Sequence, residues 1–178
     1  MTPLRILTRS ALLLALLTGT ALAQDAPTDP VMASLKGLHG ITATNLMRTA
    51  EMLDEDLHAY RPTEEVRTVG GLLAHVANAQ YMFCSSAAGE ENPNTQNIEE
   101  AATTKADIVA ALGAAFAYCE GVYDAMTDAQ GATVRSFFGN DMAASGILAF
   151  NSTHNFEHYG NLVTYMRMNG ITPPSSMQ

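Results

Sequence analysis

Basic side chains are scarce in this 178-residue chain, with 9 lysines and arginines against 18 aspartates and glutamates. That balance argues against nucleic acid or an anionic membrane surface as a partner, because either needs a basic patch to meet its phosphates. Cysteine is scarcer still. Only Cys84 and Cys119 occur, and with no C-x-x-C spacing they do not make a cysteine metal site. No G-x-S-x-G occurs either, so a serine nucleophile on a strand-to-helix elbow is excluded. No alternating pattern long enough for a strand is found, and no internal repeat. The apolar run near the start, Ala11 to Leu17, falls well short of the roughly 20 residues needed to span a bilayer.

What is present begins with "MTPLRILTRSALLLALLTGTALA". Arg5 and Arg9 precede an apolar run from Ala11 to Leu17 and the small-residue pattern Ala21-Leu22-Ala23. This is the pattern of a secretory signal peptide over residues 1–23, cut before Gln24, and it predicts export to the periplasm or the outside of the cell, with no membrane attachment after cleavage. Residues 24–178 are then expected to form a single domain. Loss of Arg5 and Arg9 leaves 7 basic against 18 acidic residues, a net charge of −11, with cations as natural partners. In an oxidising compartment an even pair of cysteines is read first as a disulfide, Cys84–Cys119, stapling two helices, with two buried thiols as the alternative.

Four helical segments are predicted. Asp29-Pro30 is an N-cap and first-turn pair that opens a run ending near Tyr60, before Arg61-Pro62. "TVGGLLAHVANAQYMFCSSAAG" opens on Thr68 and stops at Gly89. Thr104 with Asp107 resembles a capping box at the head of a third segment that continues to Met126. A fourth opens near Asp141, ends at Asn169-Gly170 and is followed by Pro173-Pro174. Four helices of this length make an all-α four-helix bundle.

The faces of these helices separate structure from chemistry. The third carries Ile108, Leu112, Ala115, Cys119, Val122 and Met126 at alternating 3/4 spacing and reads as purely structural. On the second, the same spacing gives Leu72, His75, Ala79 and Met82, so an imidazole interrupts an apolar stripe and needs a partner. The fourth has a seam of Ile147, Asn151, His154, His158, Asn161 and Tyr165, polar in its middle and flanked by apolar residues on both sides. Such a strip suits groups turned toward an interior cavity, although a solvated strip between core and dimer interface is the competing reading. His154 and His158, at i and i+4, project one turn apart on one face. Together with His75 they supply three nitrogen ligands for a divalent metal from facing helices, with positions left open for water or substrate. "HNFEH" also fits the H-x-x-E-H pattern of inverted zinc proteases, but too little chain follows for the further ligand those enzymes take, and Glu157 falls on a different face from the histidines. His58 sits where the first helix is expected to end and suits its macrodipole. His39 lies near that helix's start. Thr42, Asn45 and Thr49 are polar positions on the same helix that either line the cavity or are simply tolerated.

"YRPTEEVRTVGGLLAHVANAQYMFC", with His75, and "HNFEHYGNLVTYMRMNGITPP", with H-x-x-x-H-x-G at His154, His158 and Gly160, resemble the DinB-like/YfiT-like superfamily of metalloenzymes over roughly Val31 to Pro174. The resemblance implies a four-helix bundle, commonly a homodimer, holding a divalent transition metal such as zinc, nickel or iron on three histidines, here His75, His154 and His158. It also implies an activity within a range that includes thiol-dependent S-transferases and isomerases. Asn161 stands where many relatives carry glutamine. Export weakens a reading based on a cytoplasmic thiol cosubstrate. A metal-dependent hydrolase or transferase acting on a small molecule is therefore one expectation, with Asn151, Asn155, Asn161 or Glu157 orienting the metal ligands. A non-catalytic metal- or ligand-binding dimeric scaffold is the other. The signal-peptide reading has a direct test: intact-mass analysis of the exported protein is expected to give a chain beginning at Gln24, and an uncleaved Met1 terminus would overturn it.

Overall fold

Pro30 stands at the first helical position of α1 (Pro30–Met52), where its missing N–H is one the helix could not have used. In this computed structural model, which describes residues 28–177, Asp29 is the N-cap as expected, yet its side chain does not cap its own helix. Asp29 Oδ1 instead accepts the backbone N–H of Asp128 at 2.7 Å, while the Asp128 carboxylate accepts the N–H groups of Met32 and Val31 at 2.8 and 3.2 Å. Each aspartate thus satisfies free amides at the start of the other's helix. The proposed signal peptide, 1–23, lies outside the described residues.

The first helix does not run to Tyr60. It stops at Met52, because Leu53 is extended and the Asp54 carboxylate accepts the Leu57 N–H at 2.9 Å, starting a separate turn, α2 (Glu55–His58). His58 is buried there and donates from Nε2 to the Ala50 carbonyl in the last turn of α1 at 2.9 Å. It serves the end of the first helix through a hydrogen bond.

The other two caps lie where their residue types place them. Thr68 Oγ1 accepts the Gly71 N–H at 3.0 Å ahead of α3 (Val69–Ala88), which ends on Gly89 in the left-handed region at φ 76°. After the single turn α4 (Ile98–Ala101), Thr104 Oγ1 accepts the Asp107 N–H at 3.2 Å at the head of α5 (Lys105–Ala125). A further turn, α6 (Asp128–Gly131), leads into an antiparallel hairpin, β1 (Val134–Phe137) and β2 (Asn140–Ala143). Phe137 pairs with Asn140 across Phe138 and Gly139, both at positive φ (49° and 76°), as a two-residue type I′ turn requires. This hairpin corrects the expectation of no strands, since four residues per strand are too few for a period of two to show. It also corrects the start of the last helix. Asp141 lies in β2, and α7 (Ala144–Met168) begins three residues later.

The four long helices form the bundle: α3 packs on α5 and α7, and α1 packs on α7 and α5, which leaves α1/α3 and α5/α7 on the diagonals. One half of the core gathers Leu46, Leu73, Val76, Leu112 and Leu162; the other gathers Phe83, Tyr123, Ile147 and Leu148. Beside the second half, Cys84 and Cys119 are joined as a disulfide with Cα atoms 5.4 Å apart, tying α3 to α5.

His39, on α1, is buried in the core with neither ring nitrogen hydrogen-bonded, stacked at 4.4 Å on Tyr123 and edge-on to Phe116 at 5.6 Å. Burial pushes its pKa down from 6.5 to about 4. The neighbouring titratable groups are Tyr123 from α5 and, around a small adjoining cavity, Lys36 and Glu120. Because the folded pKa lies below the unfolded one, the neutral ring's stability is complete above pH 6.5 and is lost as pH falls from there toward about 4. The 2.5-unit gap amounts to on the order of 3 kcal/mol. Replacing His39 with Leu is expected to remove that share of the acid destabilisation. Urea midpoints between these two pH values should fall less steeply for the variant than for the wild type, and parallel slopes would contradict the assignment.

Candidate metal centre

Packing of α3 against α7 brings together three imidazoles that lie up to 83 residues apart in sequence. His154 Nε2 lies 3.0 Å from His158 Nε2 and 3.3 Å from His75 Nε2, and the three ligand atoms all lie within 4.8 Å of one another. His158 is buried, while His75 and His154 are half-buried and open to a cleft of about 460 Å³. Beneath them Phe83, two turns after His75 on α3, packs its ring 5.4 Å from that of His154.

The chemistry of this donor set fits a cation. His75 Nδ1 lies 2.8 Å from Glu99 Oε1, and an ionised carboxylate only accepts, so the neutral ring carries its proton on Nδ1 and a lone pair on Nε2. His154 Nε2 then faces two imidazole nitrogens with at most one proton of its own to donate. A tetrahedral ion bound at about 2.0–2.1 Å would hold such nitrogens roughly 3.3 Å apart. The His154 and His158 rings resist protonation. Burial, followed by the proximity of His158 and His75, brings the pKa of His154 down to about 4, and burial followed by His75 lowers that of His158 despite an opposing pull from Glu157. Neutral imidazole is the form that binds metal.

Glu99 was not anticipated from the sequence. It lies on α4, beyond a polar loop, and its second oxygen accepts Arg67 Nε at 2.9 Å. Burial alone would raise its pKa, but the hydrogen bonds from Arg67 and His75 outweigh that and hold it below the ordinary glutamate value. Its only sequence signal is the asparagine cap before it, Asn97, whose side chain accepts the Glu99 N–H at 3.2 Å.

The expected orienting residues lie elsewhere. Asn151 and Asn155 are buried in the core and bond to Gln80 of α3, not to the histidines. Gln80 Nε2 donates to Asn151 Oδ1 at 3.0 Å and to Asn155 Oδ1 at 2.7 Å, and its own oxygen accepts Asn151 Nδ2 at 3.0 Å. Asn155 Nδ2 in turn reaches Thr42 Oγ1 on α1 at 3.4 Å. Asn161 and Glu157 are exposed. Of the polar positions on α1, Thr42 joins this network and Thr49 bonds the Asn45 carbonyl at 2.8 Å, so neither lines the cleft. His39 and His58 are both remote from the centre.

A family model of the DinB superfamily matches residues 41–162. The chain belongs to the DinB superfamily. Solved structures agree in fold: a DinB-like protein from Bacillus cereus aligns with a TM-score of 0.70 at 18% identity, covering 80% of this chain and 95% of that one. A DinB-like protein from Bacillus subtilis gives 0.66 at 20% identity, covering 82% and 98%. A mycothiol-dependent maleylpyruvate isomerase gives 0.60 at 19% identity, covering 78% of this chain and 61% of that chain. No curated protein sequence matches this DinB-superfamily chain.

Replacing Gln80 with Leu strands the amide oxygens of Asn151 and Asn155 in the core, where each unpaired polar group costs about 1–3 kcal/mol. The expected loss is therefore several kcal/mol in chemical denaturation, and a loss below about 1 kcal/mol would show that the network does not support the helices.

Proposed function

We propose that this DinB-superfamily protein is a divalent-metal protein whose His75, His154 and His158 hold zinc, nickel or iron, and that it acts as a metal-dependent hydrolase or transferase on a small molecule. The convergence of three Nε2 atoms with the His75 proton committed to Glu99 carries this reading. A divalent ion held there supplies Lewis acidity and lowers the pKa of an oxygen or sulfur nucleophile.

The chain's own residues do the rest. The helical backbone of α7 fixes His154 and His158 one turn apart, Phe83 keeps water from the inner side, and the cleft opens the outer side to a ligand. Asn78, Asn92, Gln96 and Asn97 line that cleft and offer neutral hydrogen-bonding groups, with Ala79 and Met82 as the apolar wall. These features suit an uncharged polar substrate. The shared fold of a mycothiol-dependent isomerase supports a thiol-dependent reaction as one chemistry for the site. The Cys84–Cys119 disulfide supports export through residues 1–23, and with it a nucleophile other than a cytoplasmic thiol. Association as a homodimer completes the proposal.

One observation favours the second reading, a non-catalytic metal or ligand carrier. Glu99 is the one carboxylate lining the cleft, and it already serves His75 and Arg67, so no free general base stands beside the histidines among the described residues.

Elemental analysis of untagged protein is expected to show near one transition metal per chain, with affinity lost by orders of magnitude in His75→Ala while helicity is retained. Full metal content in that variant would sink the three-histidine site. A substrate panel of esters, phosphate esters and thiol-transfer pairs, assayed with and without chelator, then separates enzyme from carrier. Turnover abolished by the chelator supports the enzyme, and none in either condition supports the carrier.

A further inference from the structure

The three histidines differ in what holds their rings. The Nδ1 atoms of His154 and His158 are buried and have no hydrogen-bond partner, so no polar group behind those two rings orients them. His75 Nδ1 instead meets Glu99 Oε1 at 2.8 Å, and Arg67 Nε holds the other carboxylate oxygen at 2.9 Å. The loop before Glu99 is built to deliver it. Asn78, one turn after His75 on α3, accepts the Ile98 N–H at 3.0 Å and donates from Nδ2 to Asn97 Oδ1 at 2.8 Å. Asn94 braces the same anchor, donating to Asn78 Oδ1 at 3.3 Å and to the Gln96 carbonyl at 2.8 Å. The helix that carries the ligand therefore also carries the tether for the group that orients it.

We propose that Glu99, clamped by Arg67 and tethered through Asn78, is the positioning residue that selects the His75 tautomer and ring orientation needed for its Nε2 to serve the centre. Glu99 lines the cleft, but its two oxygens are taken by His75 and Arg67, and His75 is the one histidine it hydrogen-bonds, so it acts on the centre through His75. A partner of this kind typically changes metal affinity by about 10–100-fold. The inference rests on the three-histidine reading, but the tautomer it describes exists without any metal.

The test uses the full-length mature protein and two readouts. Nitrogen NMR on the metal-free protein at mildly alkaline pH reports which His75 nitrogen carries the proton, and zinc titration against a competing chelator reports affinity. In the wild type the proton is expected on Nδ1. Glu99→Ala should shift it toward Nε2 and weaken zinc about 10–100-fold. Glu99→Gln should keep it on Nδ1, because the amide oxygen still accepts, and should stay within several-fold of wild-type affinity. Glu99→Ala with the proton still on Nδ1 and unchanged affinity would overturn the proposal. Should Glu99→Ala not fold, Arg67→Ala decides, since Arg67 is an exposed side chain: several-fold weaker zinc supports the clamp, and unchanged affinity overturns it. If the wild type takes up none of zinc, nickel or iron, the metal reading fails alone, and the tautomer comparison still supports or overturns the role of Glu99.

Discussion

Helix α7 must bury polar side chains against α3, and the organisation of the bundle follows from how those groups are satisfied. A buried amide without a partner costs about 1–3 kcal/mol, enough to cancel the gain from burying an apolar neighbour. On the inner turns of α7 the solution is amide pairing: Asn151 and Asn155 meet Gln80, and Thr42 closes the network from α1. On the neighbouring stripe of the same helix, where the interface meets the cleft, His154 and His158 converge with His75 instead. The two solutions lie along the same helix pair, so the amide network sets the register at which His75 arrives opposite His154.

That arrangement places different demands on the helices. The α5 side is apolar and covalently tied to α3 by Cys84–Cys119, so it serves as a rigid wall. The Asn151 amide approaches both sulfurs, Cys119 at 3.3 Å and Cys84 at 3.6 Å, which joins the amide network to the disulfide. A loop of this length would limit the unfolded chain by about 4 kcal/mol in the chain-entropy model. The cleft side is instead closed by a polar loop tied to α3 through Asn78 and His75.

Membership of the DinB superfamily agrees with the four-helix bundle, in which three histidines that could hold a metal are brought together. The same fold in a mycothiol-dependent isomerase and in DinB-like proteins of two Bacillus species, all at 20% identity or below, shows a frame that tolerates wide sequence change. The local features of this chain's cleft are the Glu99–Arg67 pair behind His75 and an asparagine-rich wall.

Much of this was legible in the residues. Thr68 and Thr104 announce their helices because a side-chain oxygen three residues ahead of a free amide is a local device, complete within one turn. His75, His154 and His158 could be singled out because helical periodicity converts spacing into a shared face. Devices that cross the molecule were not legible. Asp29 and Asp128 exchange caps across 99 residues, Glu99 reaches His75 across 24, and Gln80 meets Asn151 across 71, and no period in the chain links them. The short hairpin escaped for a related reason, having too few residues to display its alternation. Sequence alone therefore determined the helices, their apolar faces and the three imidazoles, because those depend on neighbours within a turn or two. Tertiary structure alone decided which polar groups pair in the core and which carboxylate holds His75, because hydrogen bonds of that kind depend on where packed helices bring distant atoms to within 3 Å.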